Sequence, residues 1–277
     1  MVTMRITTND VTLEVDVSGG DHDSAVLLLH GWPDTHALWR HQVDALIEVG
    51  YRTIAPDLRG FGDSDKPEAV DAYGLLDLAA DITGVLDHLA IERVHVVGHD
   101  WGAALGWALA AFASDRVASL AALSVGHPQA FRGAGLAQRE KSWYMLLFQF
   151  EGVAEQWLSS EGFANFREWT HHPDADEVAR RLSDPAALRA SLAIYRANLA
   201  PESLVTPPLE FPPIQCPTLG IWSSGDMALT EQQMTDSATY VTGPWRYEQI
   251  ERAGHWIPLD APARLNTLLL EHLSAAT

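Results

Sequence analysis

A pentapeptide of the form Gly-x-Asp-x-Gly constrains the fold of this chain more than any other feature. Residues 98–102 read Gly-His-Asp-Trp-Gly, directly after the apolar run 94–97 and before a helical pattern that starts at Ala103. The layout predicts a strand, a tight turn and a helix, with glycines where a Cβ would clash between strand and helix. We therefore expect the side chain of Asp100 to stand on a sharp elbow at the end of a buried strand.

An aspartate in the middle of such an elbow narrows the chemistry. A serine there would predict acyl transfer, and no Gly-x-Ser-x-Gly occurs elsewhere in the chain. A carboxylate attacks esters and amides poorly, but it can displace a leaving group from saturated carbon and form an alkyl-enzyme ester. Asp100 therefore favours the opening of an epoxide or the expulsion of a halide.

Apolar runs alternate with helical patterns along the first half of the chain. We predict strands at 11–17, 25–29, 53–55, 94–97 and 120–125, and helices at 37–49 and 74–89. Short runs without polar residues indicate strands that are buried on both faces, and their alternation with helices predicts a mostly parallel, doubly wound α/β sheet. Residues 11–17 alternate apolar and polar side chains, as a half-buried edge strand does.

The alternation breaks between residues 133 and 206, which show helical patterns rich in aromatic residues and no convincing strand. Strands at 218–222 and 247–250 and a helix at 262–273 are predicted to follow. We therefore expect a core made of residues 1–132 and 207–277. The helical cap, residues 133–206, is expected over the carboxyl ends of the strands, where ligands bind in such sheets.

Composition excludes several classes of partner. The net charge of −19 disfavours binding to nucleic acid or to an anionic membrane surface. Cys216 stands alone, so no intrachain disulfide forms. The amino terminus lacks the apolar segment of a signal peptide, and the apolar stretches are too short to span a membrane. We expect a cytoplasmic protein that acts on a small molecule, and the sequence leaves open whether it forms a homo-oligomer.

Two further residues complete a candidate catalytic triad. In elbow folds an acid and then a histidine follow the nucleophile along the chain. Asp226 follows the predicted strand 218–222, and His255 lies in a loop before the last helix. No acidic residue lies between Asp115 and Glu140, which excludes an acid after strand 120–125. We predict that Asp100 is the nucleophile, Asp226 the acid and His255 the base.

Other polar motifs receive simpler interpretations. The backbone N–H groups of Trp32, after strand 25–29, and of Trp101 are the predicted oxyanion hole. Residues 57–64 match no phosphate-binding motif, so we expect a structural loop beside the site. The pair His171-His172 lacks a spaced partner for a metal, which predicts a solvated loop. We expect neither a metal nor a cofactor.

The four motifs at 30–33, 57–64, 98–102 and 254–256 together resemble the epoxide hydrolases of the α/β-hydrolase fold, over essentially the whole chain. The resemblance implies that fold, its inserted cap and an Asp nucleophile. Residues 143–155 and 193–198 resemble the cap helices that carry two ring-opening tyrosines, which puts Tyr144 and Tyr195 at those positions. An epoxide oxygen leaves as an alkoxide and needs a proton, whereas a halide needs none.

Haloalkane and haloacetate dehalogenases share these motifs and stay as the alternative. Many haloalkane dehalogenases have Asn after His-Gly, at the position where this chain has Trp32. Fluoroacetate-type dehalogenases have an arginine soon after the nucleophile, whereas the only arginine in residues 101–117 of this chain is Arg116. We predict an epoxide hydrolase. A ligand sensor on a degenerate scaffold is a third hypothesis, which the complete triad disfavours. The expected contacts to an apolar epoxide are Trp32, Trp101, Phe148 and Trp256.

Overall fold

The computed structural model describes residues 2–20 and 24–276, and an eight-stranded sheet forms its centre. The strand order is β1-β2-β4-β3-β5-β6-β7-β8. The strands are β1 (Val2–Thr8), β2 (Val11–Ser18), β3 (Ala25–Leu29), β4 (Arg52–Pro56), β5 (Val94–His99), β6 (Val117–Leu123), β7 (Thr218–Ser223) and β8 (Trp245–Ile250). β2 is antiparallel to β1 and β4, and β3 to β8 pair in parallel with one another.

Helices cover both faces of the sheet and one end of it. The helices that follow strands of the sheet are α1 (Arg40–Glu48), α2 (Leu75–His88), α3 (Trp101–Phe112), α10 (Glu231–Thr235), α11 (Ile257–Asp260) and α12 (Pro262–Ala275). Those between β6 and β7 are α4 (Pro128–Gly133), α5 (Gly135–Lys141), α6 (Trp143–Leu147), α7 (Val153–Thr170), α8 (Ala175–Leu182) and α9 (Pro185–Asn198). Helices α5 to α9 lie within the residues predicted as the cap, 133–206, whereas α4 lies before them except for Gly133.

Burial on two faces explains the apolar strands. Every residue of β3, β5 and β7 is buried. The side chains of these strands alternate between two apolar clusters: Leu27 and Val96 pack with α2 and α3, and Leu28 and Val97 pack with α1 and α12. Such a strand has no solvent face on which a polar residue is favoured, so its sequence reads as a continuous apolar run.

The predicted α/β-hydrolase fold class is confirmed, with corrections at the ends of elements. The first element of the described residues is a strand, β1, which was not predicted; only Ile6 of this strand is buried, so it carries little apolar pattern. The segment 11–17 was predicted as an edge strand, but β1 is the edge and β2 lies inside it. The helix predicted at 37–49 begins as a 3-10 turn, His36–Trp39, before α1.

Between β6 and β7 the regular elements are all helices, as predicted for residues 133–206, and residues 205–217 before β7 are irregular. Helix α7 is interrupted at 160–163, where Glu161, Gly162 and Phe163 have positive φ angles of 50°, 66° and 66°. The division into two core segments and a cap domain stays a prediction. Within the described residues, no helix is both long and apolar enough to cross a bilayer.

Candidate active site

Asp100 lies on the turn between β5 and α3, with φ 53° and ψ −121°. A residue with a side chain rarely adopts this conformation, and where it does the surrounding structure must hold it. A Cβ on Gly98 would collide with the carbonyl oxygen of Gly102, and a Cβ on Gly102 would collide with that of Leu29. The two glycines therefore let strand and helix approach closely enough to form the predicted elbow.

The carboxylate of Asp100 faces the loop after β3. Gly31 has no Cβ, and any Cβ there would collide with this carboxylate. The next residue, Trp32, donates its backbone N–H to Asp100 Oδ1 at 2.9 Å. Trp101 is the first residue of α3, so its N–H is one of those that a helix leaves without an internal partner. The structure thus puts both predicted oxyanion donors next to Asp100, and the Trp32 amide already binds it.

His255 and Asp226 meet at the carboxyl ends of the strands. His255 Nδ1 lies 3.0 Å from Asp226 Oδ2, and His255 Nε2 lies 3.6 Å from Asp100 Oδ2. The other oxygen of Asp226 accepts the backbone N–H groups of Ala228 at 2.8 Å and Leu229 at 2.9 Å. Since Asp226 accepts from Nδ1, Nε2 faces Asp100 and is the nitrogen available for proton transfer.

The charges around the imidazole set its protonation. Burial alone would lower the pKa of His255, but the carboxylates of Asp226 and Asp100 outweigh it and raise that pKa above its usual range. Burial alone would raise the pKa of Asp226, but His255 and two backbone N–H groups hold it below its usual range. At neutral pH the arrangement therefore favours an imidazolium between two carboxylates.

A second histidine supports the loop that carries His255. His99 Nε2 lies 2.9 Å from the backbone carbonyl oxygen of His255, to which the hydroxyl of Ser124 also donates at 3.2 Å. A carbonyl oxygen only accepts, so His99 carries its proton on Nε2. Burial lowers the pKa of His99 to about 4, so this ring is neutral at neutral pH and supports the loop.

Tyr144 of α6 and Tyr195 of α9 reach the same site from above. Both side chains are buried, and their ring centroids are 6.0 Å apart. Burial and the charge of Asp100 raise the pKa of both phenols well above the usual range, so both stay protonated at neutral pH. Two side chains with neutral O–H groups thus line the same cavity as the carboxylate of Asp100, which makes them candidate proton donors there.

The cavity between core and cap is small and mostly aromatic. Its walls are formed by Trp32, Asp100, Tyr144, Trp169, Thr170, Tyr195, Met227, Ala228, His255 and Trp256. Its volume is about 10 Å³, which is roughly the space that one water molecule requires. This conformation therefore leaves little space for a substrate with several carbon atoms.

The four predicted substrate contacts divide into two pairs. Trp32 and Trp256 line the cavity. Phe148 does not line it but packs behind it, with its ring centroid 5.3 Å from that of Trp32 and 5.0 Å from that of Tyr195. Trp101 also lies outside the wall and meets Tyr195 edge to face at 5.2 Å. Phe148 and Trp101 thus pack against aromatic rings that line the cavity and do not line it themselves.

A polar contact between cap and core was missed in the sequence. The pair His171-His172 was predicted to be solvated, but His172 is buried, and its Nε2 lies 3.1 Å from Asp34 Oδ1. The other oxygen of Asp34 accepts Trp256 Nε1 at 2.9 Å. Burial would raise the pKa of Asp34, but His172 lowers it to about 2. Only the position of Asp34, directly after the motif 30–33, hinted at this role.

One group outside the site has the composition of a metal site. Ligand atoms of Glu14, His36 and Asp57 lie within 4.8 Å of one another. Both oxygens of Asp57 already have partners: His36 approaches Oδ1 with its ring nitrogen at 2.8 Å and its backbone N–H at 2.7 Å, and the backbone N–H of Asp63 donates to Oδ2 at 3.2 Å. His36 and Asp57 thus form an ion pair at the start of the loop 57–64, which is consistent with the structural role predicted for that loop.

The elbow, the triad geometry and the sheet define the class of protein. The chain matches the family described as alpha/beta hydrolase fold over residues 24–262. It is 34% identical to epoxide hydrolase A of Mycobacterium tuberculosis, with 97% of this chain and 96% of that protein covered. It is 31% identical to the AB hydrolase superfamily protein YfhM of Bacillus subtilis, over 97% of this chain and 96% of that protein.

A solved structure shows the same relationship. The crystal structure of Bacillus megaterium epoxide hydrolase in complex with an inhibitor aligns with a TM-score of 0.87 and 27% identity, over 98% of this chain and 100% of that one. This chain therefore belongs to the epoxide hydrolase family of the α/β-hydrolase fold, as the four motifs implied.

Proposed function

We propose that this protein hydrolyses an epoxide to a vicinal diol through an ester on Asp100. The observation that carries the proposal is one cavity that is lined by the buried carboxylate of Asp100 and by the protonated phenols of Tyr144 and Tyr195. Family membership supports the reaction class, and the roles of the individual residues are part of the proposal.

In the first step, Asp100 Oδ2 attacks a ring carbon of the epoxide. The carbon–oxygen bond of the ring breaks, and its electron pair goes to the ring oxygen. The phenols of Tyr144 and Tyr195 donate hydrogen bonds to this oxygen, and one of them transfers its proton. Ring strain alone does not make an alkoxide a good leaving group near neutral pH, so these two donors account for most of the expected acceleration.

In the second step, water hydrolyses the ester. His255 Nε2 accepts a proton from water, and the oxygen attacks the carbonyl carbon of Asp100. The negative charge forms on the oxygen that accepts the N–H of Trp32, with Trp101 as the second donor. The ester bond then breaks, and the leaving alkoxide takes the proton held by His255, whose imidazolium Asp226 stabilises in between. The proton of the new Asp100 carboxyl group returns to the tyrosinate left by the first step, so both residues regain their starting states.

Formation of the ester prepares His255 for its role as base. In the free protein, two carboxylates raise the pKa of His255. Alkylation turns Asp100 into a neutral ester, which removes one of these charges and lowers the pKa toward the working range. The attack by Asp100 thus makes deprotonation of His255 easier at the stage that needs a neutral imidazole.

We expect ester hydrolysis to accelerate as pH rises through the pKa of His255 in the alkyl-enzyme, because only the neutral imidazole accepts a proton. That pKa should lie below the one of the free protein. The rate of ester decay in single-turnover experiments between about pH 5 and 9 gives the pKa of His255 in the alkyl-enzyme. The reference for this pKa is the ordinary histidine value of ~6.5. NMR titration of His255 in the parent protein and in Asp100→Asn compares the two charge states. A flat decay profile would show that another group is the base.

The walls of the cavity favour an apolar substrate that the aromatic side chains can surround. We propose a small-molecule epoxide and water as the partners, with no cofactor. A cytoplasmic location completes the proposal and rests on composition, since the single Cys216 requires no oxidising compartment.

The direct test is turnover of a panel of aryl and aliphatic epoxides beside haloalkanes and fluoroacetate, with the Asp100→Asn protein as the blank. We expect diol formation from at least one epoxide and no release of halide, because the cavity has two acids for an alkoxide. Release of halide with no turnover of any epoxide would replace the proposal by the dehalogenase alternative.

A further inference from the structure

Helix α5 of the cap is tied to the loop that carries Asp226. Gln138 of α5 is buried, and its Nε2 donates to the carbonyl oxygen of Ala228 at 2.9 Å. Its Oε1 accepts both the backbone N–H of Thr230 at 2.8 Å and the hydroxyl of Thr230 at 2.9 Å. The remaining N–H donates to Ser142 at 2.9 Å, so every hydrogen-bonding position of the amide is used.

A charged residue one turn further along α5 adds to this contact. Lys141 donates from Nζ to the backbone carbonyl oxygen of Asp226 itself. The chain has only two lysines, Lys66 and Lys141. Gln138 and Lys141 together thus bind three residues of the loop 226–230, which we call the acid loop.

The two sides of the acid loop have different partners. On the inner side, the N–H groups of Ala228 and Leu229 donate to the carboxylate of Asp226. On the outer side, the carbonyl oxygens of Asp226 and Ala228 accept from Lys141 and Gln138. Ala228 therefore links the cap directly to the catalytic acid, because its N–H and its C=O belong to the two networks.

We propose that Gln138 and Lys141 are positioning residues for ester hydrolysis, through which the cap holds the acid loop so that Asp226 faces His255. The inference rests on the proposed function. Nucleophilic attack requires Asp100 and the two tyrosines, none of which the acid loop carries. Hydrolysis requires the hydrogen bond of 3.0 Å between Asp226 and His255. A loosened acid loop therefore slows the second step and spares the first.

Lys141→Met and Gln138→Met test the inference, because methionine retains most of the volume and removes the hydrogen bonds. Lys66→Met is the matched control, since Lys66 also donates to two backbone carbonyls, those of Gly62 and Ser64, on another loop. Gln42→Met is the matched control for Gln138→Met, because Gln42 is also a buried glutamine and its hydrogen bonds join α1 to Pro258 and to Asn266 of α12. Formation and decay of the alkyl-enzyme are followed by rapid quench and intact-protein mass spectrometry with an epoxide that the parent protein turns over.

We expect ester decay to slow roughly tenfold to a hundredfold in Lys141→Met and Gln138→Met, the range that a misplaced catalytic group produces, with ester formation within about twofold of the parent protein. Both controls should leave the two rates unchanged even where they lower the melting temperature. Unchanged decay in both α5 variants would overturn the inference, and so would an equal fall of both rates. If the parent protein formed no ester from any epoxide, the proposed function would fail instead.

Discussion

Phenylalanine in place of both Tyr144 and Tyr195 is expected to nearly abolish epoxide opening in a protein that still folds. Each substitution removes one hydroxyl and retains the ring, so the aromatic packing around the cavity is preserved. A positioned acid contributes roughly 10²–10⁴ in rate, which is the loss we expect from either single variant in the formation of the ester. The double variant leaves the ring oxygen without a proton donor.

Tyr73→Phe is the matched control for these variants. Tyr73 is also fully buried, and its hydroxyl donates to the carbonyl oxygen of Pro67 at 2.8 Å, away from the cavity. We expect this variant to lose stability but to form the ester at the parent rate. A double variant of Tyr144 and Tyr195 that opened epoxides as fast as the parent protein would remove both tyrosines from the mechanism.

Replacement of His255 by Gln is expected to leave ester formation possible and to slow ester hydrolysis by roughly 10²–10⁴, because the base for water is lost. Glutamine retains a hydrogen-bonding side chain of similar length, so the site does not collapse. His95→Gln is the matched control, since His95 is a buried histidine that pairs with Ser119 on neighbouring strands, remote from the triad. This control should form and release the ester at the parent rates.

The elbow, the order of the triad and the helical region between β6 and β7 could be predicted because each depends on local sequence. Gly98 is required by the carbonyl oxygen of Gly102 within the elbow, and Gly102 by the carbonyl oxygen of Leu29 at the end of the neighbouring strand β3; both glycines belong to the pentapeptide that the sequence shows. Asp226 was identified by exclusion of other acids. These predictions need residue order and spacing, and no knowledge of how distant side chains pack.

The contacts between cap and core could not be predicted, because they join residues far apart in the chain. His172 pairs with Asp34 from 138 positions away, and Gln138 binds Thr230 across 92 positions. A histidine beside a proline and an aspartate has the composition of a solvated loop, and only the tertiary structure buries it. The small volume of the cavity has the same origin, since it is set by how aromatic side chains from both parts fit together.

The most direct test of the account is the mass of the His255→Gln protein after incubation with an epoxide that the parent protein hydrolyses. Intact-protein mass spectrometry should show an adduct equal to one whole substrate molecule, since ring opening expels no fragment. Proteolysis should map this mass to the peptide that contains Asp100. A folded variant that binds substrate but carries no adduct, or carries it on another peptide, would contradict a covalent mechanism through Asp100.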